Sequence, residues 1–314
     1  MKKILVTGAY GFVGSNLSDY LKNRSEYILS ALDVAEGKRG SYGEYYSWKS
    51  LDSIDWDSID VIVHLAGKAH DTKNTAQEQE YYDVNEGLTK KIFDAFLNSN
   101  ARKFIFFSSV KAIADTVKGE YLTEDVEPDP QTPYGKSKLG AEKYIEGKSV
   151  PPGKQVYILR PCMIHGPGNK GNLNLLFKIV QKGIPWPLGA FENKRSFTTI
   201  DNIIFIIEEL IEKNIPSGTY QVSDDEPLST NELIRLMAES MSKKTSILNI
   251  PPVLVRVLTK TGDVFRLPLN SERLKKLTES YLVSNRKIKN VLGISKMPIS
   301  AAEGMKKTLS SFNK

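Results

Sequence analysis

The stretch KILVTGAYGFVGSNL constrains this chain more than any other. Ile4 to Val6 reads as a short buried strand, and the apolar-periodic residues from Phe12 to Asn23 read as a helix. Only Thr7-Gly8-Ala9-Tyr10-Gly11 separates them, and Gly14 stands just inside the helix. So abrupt a strand-to-helix turn needs glycine, which adopts backbone angles closed to other residues and lets backbone approach backbone. The helix start also presents unpaired N–H groups and the positive end of the helix dipole, an arrangement suited to an anion. The apolar run breaks at Thr7-Gly8, too early for the unbroken core of an export signal.

The glycines alone are compatible with an ordinary strand–turn–helix. The second strand, YILSALDV, adds the discriminating residue. Asp33 stands at its end, about 20 residues beyond the glycines, where a carboxylate accepts the two hydroxyls of an adenine ribose. That carboxylate repels a 2′-phosphate, which favours NAD over NADP, while Lys38 and Arg39 nearby pull the other way. The expected dinucleotide floor is Gly8, Gly11, Phe12, Val13, Gly14 and Asp33.

Further strands are expected in IDVIVHLAG, RKFIFFSS and QVYILRP, with helices over 76–99 and 133–146 between them. Alternating strands and helices predict an α/β fold with a doubly wound parallel sheet. After Pro161 the pattern changes. HGPGNKGN and KGIPWPLGAFENKRS are long irregular segments of the kind that line sites. RSFTTIDNIIFIIEEL and GTYQVSD then return to strand and helix, and the remainder from Ser229 is mostly helical. The expected division is a dinucleotide-binding domain of residues 1–165 plus 196–224, with a smaller lobe of 166–195 plus 225–314.

At 314 residues, 40% hydrophobic and 25% charged, the chain is an ordinary globular sequence. Its net charge of +6 comes from scattered lysines, loosely enriched after Arg273, without basic runs interleaved with aromatics. No nucleic-acid or membrane partner and no metal are expected. One cysteine, Cys162, offers no disulfide framework, so a reducing cytoplasm is the expected compartment.

PYGKSKLGAEKYI places Tyr134 and Lys138 four residues apart, on one face of a helix. A tyrosine ionises near pH 10, and a neighbouring ammonium together with a positive nicotinamide is expected to lower that value. The same spacing also fits an exposed Tyr/Lys pair. Ser108-Ser109 ends the strand FIFFSS at the carboxyl edge of the sheet, where ligands bind in such folds, though serines also simply close strands.

Taken in order, TGAYGFVGSNL, Asp33, HLAG, FFSS, YGKSK, LRP…HGPG and RSF…ID resemble the extended short-chain dehydrogenases/reductases, in particular their NAD-dependent nucleotide-sugar epimerase/dehydratase branch, over nearly the whole chain. The resemblance implies a Rossmann-type sheet with a mostly helical C-terminal substrate lobe, and a catalytic set of Ser109, Tyr134 and Lys138. It implies that Ala66, Gly67 and Lys68 pass the cofactor, with Asn85 behind them and the backbone after Pro161 at the nicotinamide amide. It places Asn172 and Arg195 on a UDP diphosphate, a role that suits a guanidinium. Arg273 is a second phosphate contact or an ordinary surface arginine. A homodimer is also implied.

Two departures matter. His165 stands where many relatives carry tyrosine, and it is either structural or an auxiliary acid. Val110 and Lys111 stand where dehydratases place their acid and base, so 4,6-dehydration loses its proton carriers. The expected reaction is 4-epimerisation of a UDP-hexose, of the UDP-glucose or UDP-N-acetylglucosamine type, through a 4-keto intermediate. The alternative is NAD(P)H-dependent reduction of a UDP-4-keto-6-deoxy sugar in surface-polysaccharide precursor synthesis. A catalytically silent dinucleotide-binding protein would not need the triad.

Overall fold

The computed structural model describes residues 1–37, 40–69, 77–169, 171–265 and 270–313. The first elements are β1 (Lys2–Thr7), α1 (Phe12–Leu21), β2 (Tyr27–Asp33), β3 (Glu44–Ser47) and β4 (Val61–His64). α2 (Glu78–Tyr81), α3 (Leu88–Asn98), β5 (Lys103–Phe107), α4 (Pro133–Glu146) and β6 (Gln155–Pro161) follow. Then come β7 (Met163–His165), α5 (Asn172–Gln181), β8 (Phe197–Thr199), α6 (Ile200–Glu212) and β9 (Gly218–Val222). Five helices complete the chain: α7 (Thr230–Ser240), α8 (Pro252–Phe265), α9 (Ser271–Thr278), α10 (Arg286–Leu292) and α11 (Ala301–Ser310).

Seven strands form one parallel sheet in the order β3-β2-β1-β4-β5-β6-β9. The chain reverses its direction of travel between β1 and β4, which opens a crevice at the carboxyl ends of those two strands. Side chains alternate across the strands, so consecutive residues serve opposite faces. Ile4, Val6, Ala31, Val63, Ile105 and Leu159 pack with Leu17 of α1 and Ile203 and Ile207 of α6. Leu5, Leu32, Ile62, Phe104, Phe106 and Ile158 pack with Phe93 and Phe96 of α3 and Ala141 and Ile145 of α4. Burial on both faces explains why these strands read as unbroken apolar runs.

A second hydrophobic cluster lies outside the sheet. It gathers Leu173 and Phe177 of α5, Trp186, Leu233 and Met237 of α7, Val255 of α8, Leu274 of α9, and Met305 and Leu309 of α11. The irregular stretch around Trp186 is held by pairing with the segment before α8, through Trp186 N–H on Ser246 O at 2.8 Å and Leu248 N–H on Trp186 O at 2.8 Å.

Two expectations need correction. The single helix over 76–99 is broken. A π-helical segment, Tyr82–Gly87, separates α2 from α3, and residues 70–76 lie outside the described residues. The wider turn aims Asn85, which is fully buried, back toward the sheet. In addition, β3 and β7 were not anticipated. β3 is a partly exposed edge strand and β7 has only three residues, too few for a period to show.

Candidate active site

The glycine turn is fixed by backbone crowding. Gly8 has φ +65°, and a Cβ there would sit 2.8 Å from the backbone N and Cα of Ala66 at the end of β4. A Cβ on Gly14 would overlap the Ala9 carbonyl. No side chain caps Gly11 at the start of α1, so the first N–H groups of that helix, at Phe12 and Val13, suit a pyrophosphate. Asp33 accepts the Tyr10 N–H at 2.9 Å on one oxygen and the Val34 N–H at 2.7 Å on the other. A carboxylate with one donor per oxygen keeps acceptor capacity for ribose hydroxyls. The donor set and the glycine cradle therefore fit a dinucleotide. Lys38 and Arg39 lie outside the described residues. Tyr42, which sequence reasoning missed, braces the turn by donating to Gly14 O at 2.8 Å and approaching Ala9 O at 3.1 Å.

Beyond β4 a buried polar chain begins at His64. Its Nδ1 lies 2.6 Å from Thr7 Oγ1 and its Nε2 2.9 Å from Thr89 Oγ1. Thr89 spends its proton on Asn85 O at 2.6 Å, so it accepts from His64, which assigns the Nε2–H tautomer. Burial, with Lys138 adding to it, pushes the His64 pKa down to about 3. Asn85 accepts the Lys68 N–H at 2.7 Å and donates to Lys68 O and to Ser137 Oγ at 3.1 and 2.9 Å. The Lys68 side chain pairs with Glu80. A Cβ on Gly67 would stand 2.9 Å from Lys138 Nζ and 3.0 Å from Asn85 Oδ1. Gly67, Lys68, Asn85 and Lys138 thus form one packed group.

Ser109 ends the β5 strand path and accepts the Lys111 N–H at 3.2 Å, which starts a short helical turn. Tyr134 stands in the first turn of α4, where Pro133 and the Thr132 cap start the helix. These two regions touch at the backbone: a Cβ on Gly135 would overlap the Lys111 carbonyl. Lys138 is buried, with Nζ donating to Phe107 O at 2.7 Å and lying 5.0 Å from the centre of the Phe106 ring.

The expected lowering of the Tyr134 pKa is not found in the chain's own groups. Burial raises it, Tyr81 adds to the rise, and the Ser109 hydroxyl only partly offsets it. Lys138 has its ammonium on the Phe107 carbonyl, and burial lowers its pKa to about 8 although Glu142 opposes the fall. Glu142, one turn further along α4, holds Arg160 of β6 by two bonds of 2.9 and 2.6 Å, both residues being buried. This ion pair, unanticipated from the sequence, fastens the helix of Tyr134 and Lys138 to the strand ending at Pro161. Pro161 itself is buried beside Val222 of β9.

Arg195 is half-buried. Its backbone pairs with Leu228, and its guanidinium donates to the Lys276 carbonyl on α9 beside Glu279 and Tyr281. Arg273 is exposed on the same helix. Asn172 begins α5, and its side chain lies outside the described residues. His165 is fully buried, with Nδ1 2.8 Å from Thr308 Oγ1 and Nε2 3.7 Å from Asp224 Oδ2. It ties β7 to α11. Asp224 meanwhile accepts from the Thr199 backbone and from Asn202.

The chain is 32% identical over 322 residues to a UDP-glucose 4-epimerase of Vibrio cholerae, covering 99% of this chain and 95% of that one. It is 28% identical over 256 residues to the N-acetyl-alpha-D-glucosaminyl-diphospho-ditrans,octacis-undecaprenol 4-epimerase of Escherichia coli O157:H7, covering 79% and 75% respectively. The UDP-glucuronic acid 4-epimerase of Bacillus cereus, solved in complex with NAD, superposes with a TM-score of 0.73 at 22% identity, covering 99% of this chain and 98% of that one. That likeness supports the fold. The match of residues 4–223 to a family pattern, together with these relatives, places the chain in the NAD dependent epimerase/dehydratase family, to which it belongs.

Proposed function

We propose that this protein epimerises a UDP-hexose at C4. The observation that carries the reading is the contact between the Ser109 turn and the start of α4, which brings the Ser109 hydroxyl to Tyr134, one helical turn before the buried Lys138. Asp33 and the glycine turn hold NAD at the crevice, with residues 1–165 and 196–224 on the cofactor side. Residues 166–195 and 225–314 hold the nucleotide sugar, with Arg195 and Asn172 on the diphosphate and Arg273 as a further phosphate contact.

In this reading Tyr134 takes the proton of the 4-hydroxyl and later returns one, while Ser109 holds the C4 oxygen throughout. Lys138, anchored on Phe107 O, would hold the nicotinamide ribose and supply positive charge one helical turn from Tyr134. Bound NAD would supply reversible hydride chemistry at C4 and a positive ring that favours the phenolate. Arg195 anchors the diphosphate so that the sugar can turn without leaving. Val110 and Lys111 provide no acid–base pair for dehydration. Two chains form the working dimer.

A second substrate is favoured by one relative: the same hexose carried on a polyprenyl diphosphate, which shares the diphosphate but lacks uridine. Incubation with UDP-glucose, UDP-N-acetylglucosamine and the polyprenyl-linked sugar, followed by NMR and nicotinamide absorbance, separates the readings. Inversion at C4 without net cofactor change establishes epimerisation. Stoichiometric NAD(P)H consumption with a 4-keto-6-deoxy sugar, and no inversion, would instead make the protein a reductase.

A further inference from the structure

We propose that α8 is an interfacial helix that docks this protein on an anionic phospholipid surface. Val253, Leu254, Val257 and Leu258 are 69%, 56%, 56% and 60% exposed. At 100° per residue these four cover an arc of about 140°, while the buried Val255 and Thr259 lie on the opposite side, and Val255 roots the helix in the second cluster. Among the described side chains of this helix, a wide apolar face in water opposite the buried Val255 and Thr259 is an inverted arrangement for a globular protein. Arg256 and Lys260, both exposed, border that face, and exposed Arg273, Lys275 and Lys276 follow on α9. Asp263 locks the two helices together by accepting the Ser271 N–H at 2.9 Å and its hydroxyl at 2.6 Å.

An apolar stripe bordered by cations is the pattern of a helix lying in the plane of a membrane interface, where the aliphatic side chains enter the acyl boundary and the cations meet lipid phosphates. No helix among the described residues is long and apolar enough to cross a bilayer, so the attachment is peripheral. A second copy of the chain fits the face poorly. The 14-residue helix is about 21 Å long, and its stripe exposes on the order of 400 Å2, about half of the roughly 800 Å2 per partner in a stable dimer. A symmetric contact there would also bring Arg256 and Lys260 of two copies together. The scattered charge of the sequence predicted no membrane partner. The proposal departs from that expectation on the exposure of one helix face.

The attachment has a consequence for the site. α9 packs on α8 and accepts Arg195 at Lys276 O, so the proposed diphosphate anchor lies one helix from the bilayer. The docking itself does not depend on which sugar is bound.

The test is flotation of the full chain with vesicles of phosphatidylcholine alone or mixed with phosphatidylglycerol. The expected result is flotation with the anionic vesicles only, weakened by salt. A Val257→Glu/Leu258→Glu variant and an Arg256→Glu/Lys260→Glu variant should each lose about tenfold or more in partitioning. The two are independent, so if circular dichroism shows one to be unfolded, the other decides. No flotation of the wild type, equal flotation on neutral vesicles, or unchanged binding in the folded variants would overturn the proposal. So would a vesicle-free sedimentation experiment in which the apolar variant alone converts an oligomer to a smaller species, since the face would then be an interface between copies.

Discussion

The sheet and the second cluster bury their side chains by different means. Around the sheet, strands are covered on both faces, and close approaches are set by backbone: Gly8 against Ala66, Gly14 against Ala9, Gly135 against Lys111. Around the second cluster, the helices meet mainly through side chains, with backbone pairing confined to the irregular stretch around Trp186, and large aliphatics stay in solvent, including Leu175, Ile184, Leu248 and the four on α8. A site built on backbone contacts has fixed geometry and tolerates little. A site built on side chains can change its ligand by changing a few residues. In the proposed function the first region holds the cofactor and the second selects the sugar.

The contrast can be broken most severely at the chemistry. Tyr134→Phe removes the proton carrier and is expected to lower kcat by about 1,000-fold or more while NAD binding, read by fluorescence titration, persists. Gly8→Val puts a branched side chain where a single carbon already collides with Ala66, at positive φ. The expected loss is more than about 3 kcal/mol of stability together with NAD binding, measured by denaturant unfolding and titration. Glu142→Gln leaves the buried Arg160 uncompensated and should cost about 3 kcal/mol, with kcat falling because α4 loses its tie to β6. Unchanged unfolding in that variant would remove the ion pair from the account of the site.

Arg195→Ala sharpens the contrast from the other side. It should raise KM by about tenfold or more and leave kcat nearly intact, since it removes binding rather than chemistry. An unchanged KM contradicts the diphosphate assignment. A last expected effect is on stability against pH. Burial lowers the Lys138 pKa to about 8, below its ordinary 10.5, so the unfolded chain binds more protons between those values. This group therefore destabilises the fold below pH 8, and stability rises from pH 8 toward 10.5 as the penalty is relieved. Lys138→Met should melt higher than wild type at pH 7, with the gap closing by pH 10, although its activity is lost. In wild type, loss of the Lys138 charge should give the rate an alkaline limb near pH 8.

The extent of β6 and α4, Gln155–Pro161 and Pro133–Glu146, coincides with what the residues alone suggest. Both carry their own boundaries: a proline stop in one, a Thr-Pro start in the other. The glycine turn and Asp33 were legible for the same reason, being local. The Glu142–Arg160 pair, the Thr7–His64–Thr89–Asn85 chain and the Tyr42 brace were not, because each joins residues from separate elements whose side chains meet only after the sheet forms. The break in the helix over 76–99 was hidden differently. A π segment keeps the same apolar residues and alters only their phase.

That phase shift has a genetic consequence. A π turn holds one residue more than an α turn, so deleting a single residue within Tyr82–Gly87 should not break the helix but convert it to a continuous one. The price would be rotation of everything before it by about 100° relative to α3. Glu80 would swing away from Lys68, and Tyr81 would leave its position 6.4 Å from the Tyr134 ring. A shorter and more regular helix would thus yield a folded protein with the wall beside its tyrosine turned elsewhere, a lesion in alignment rather than in stability.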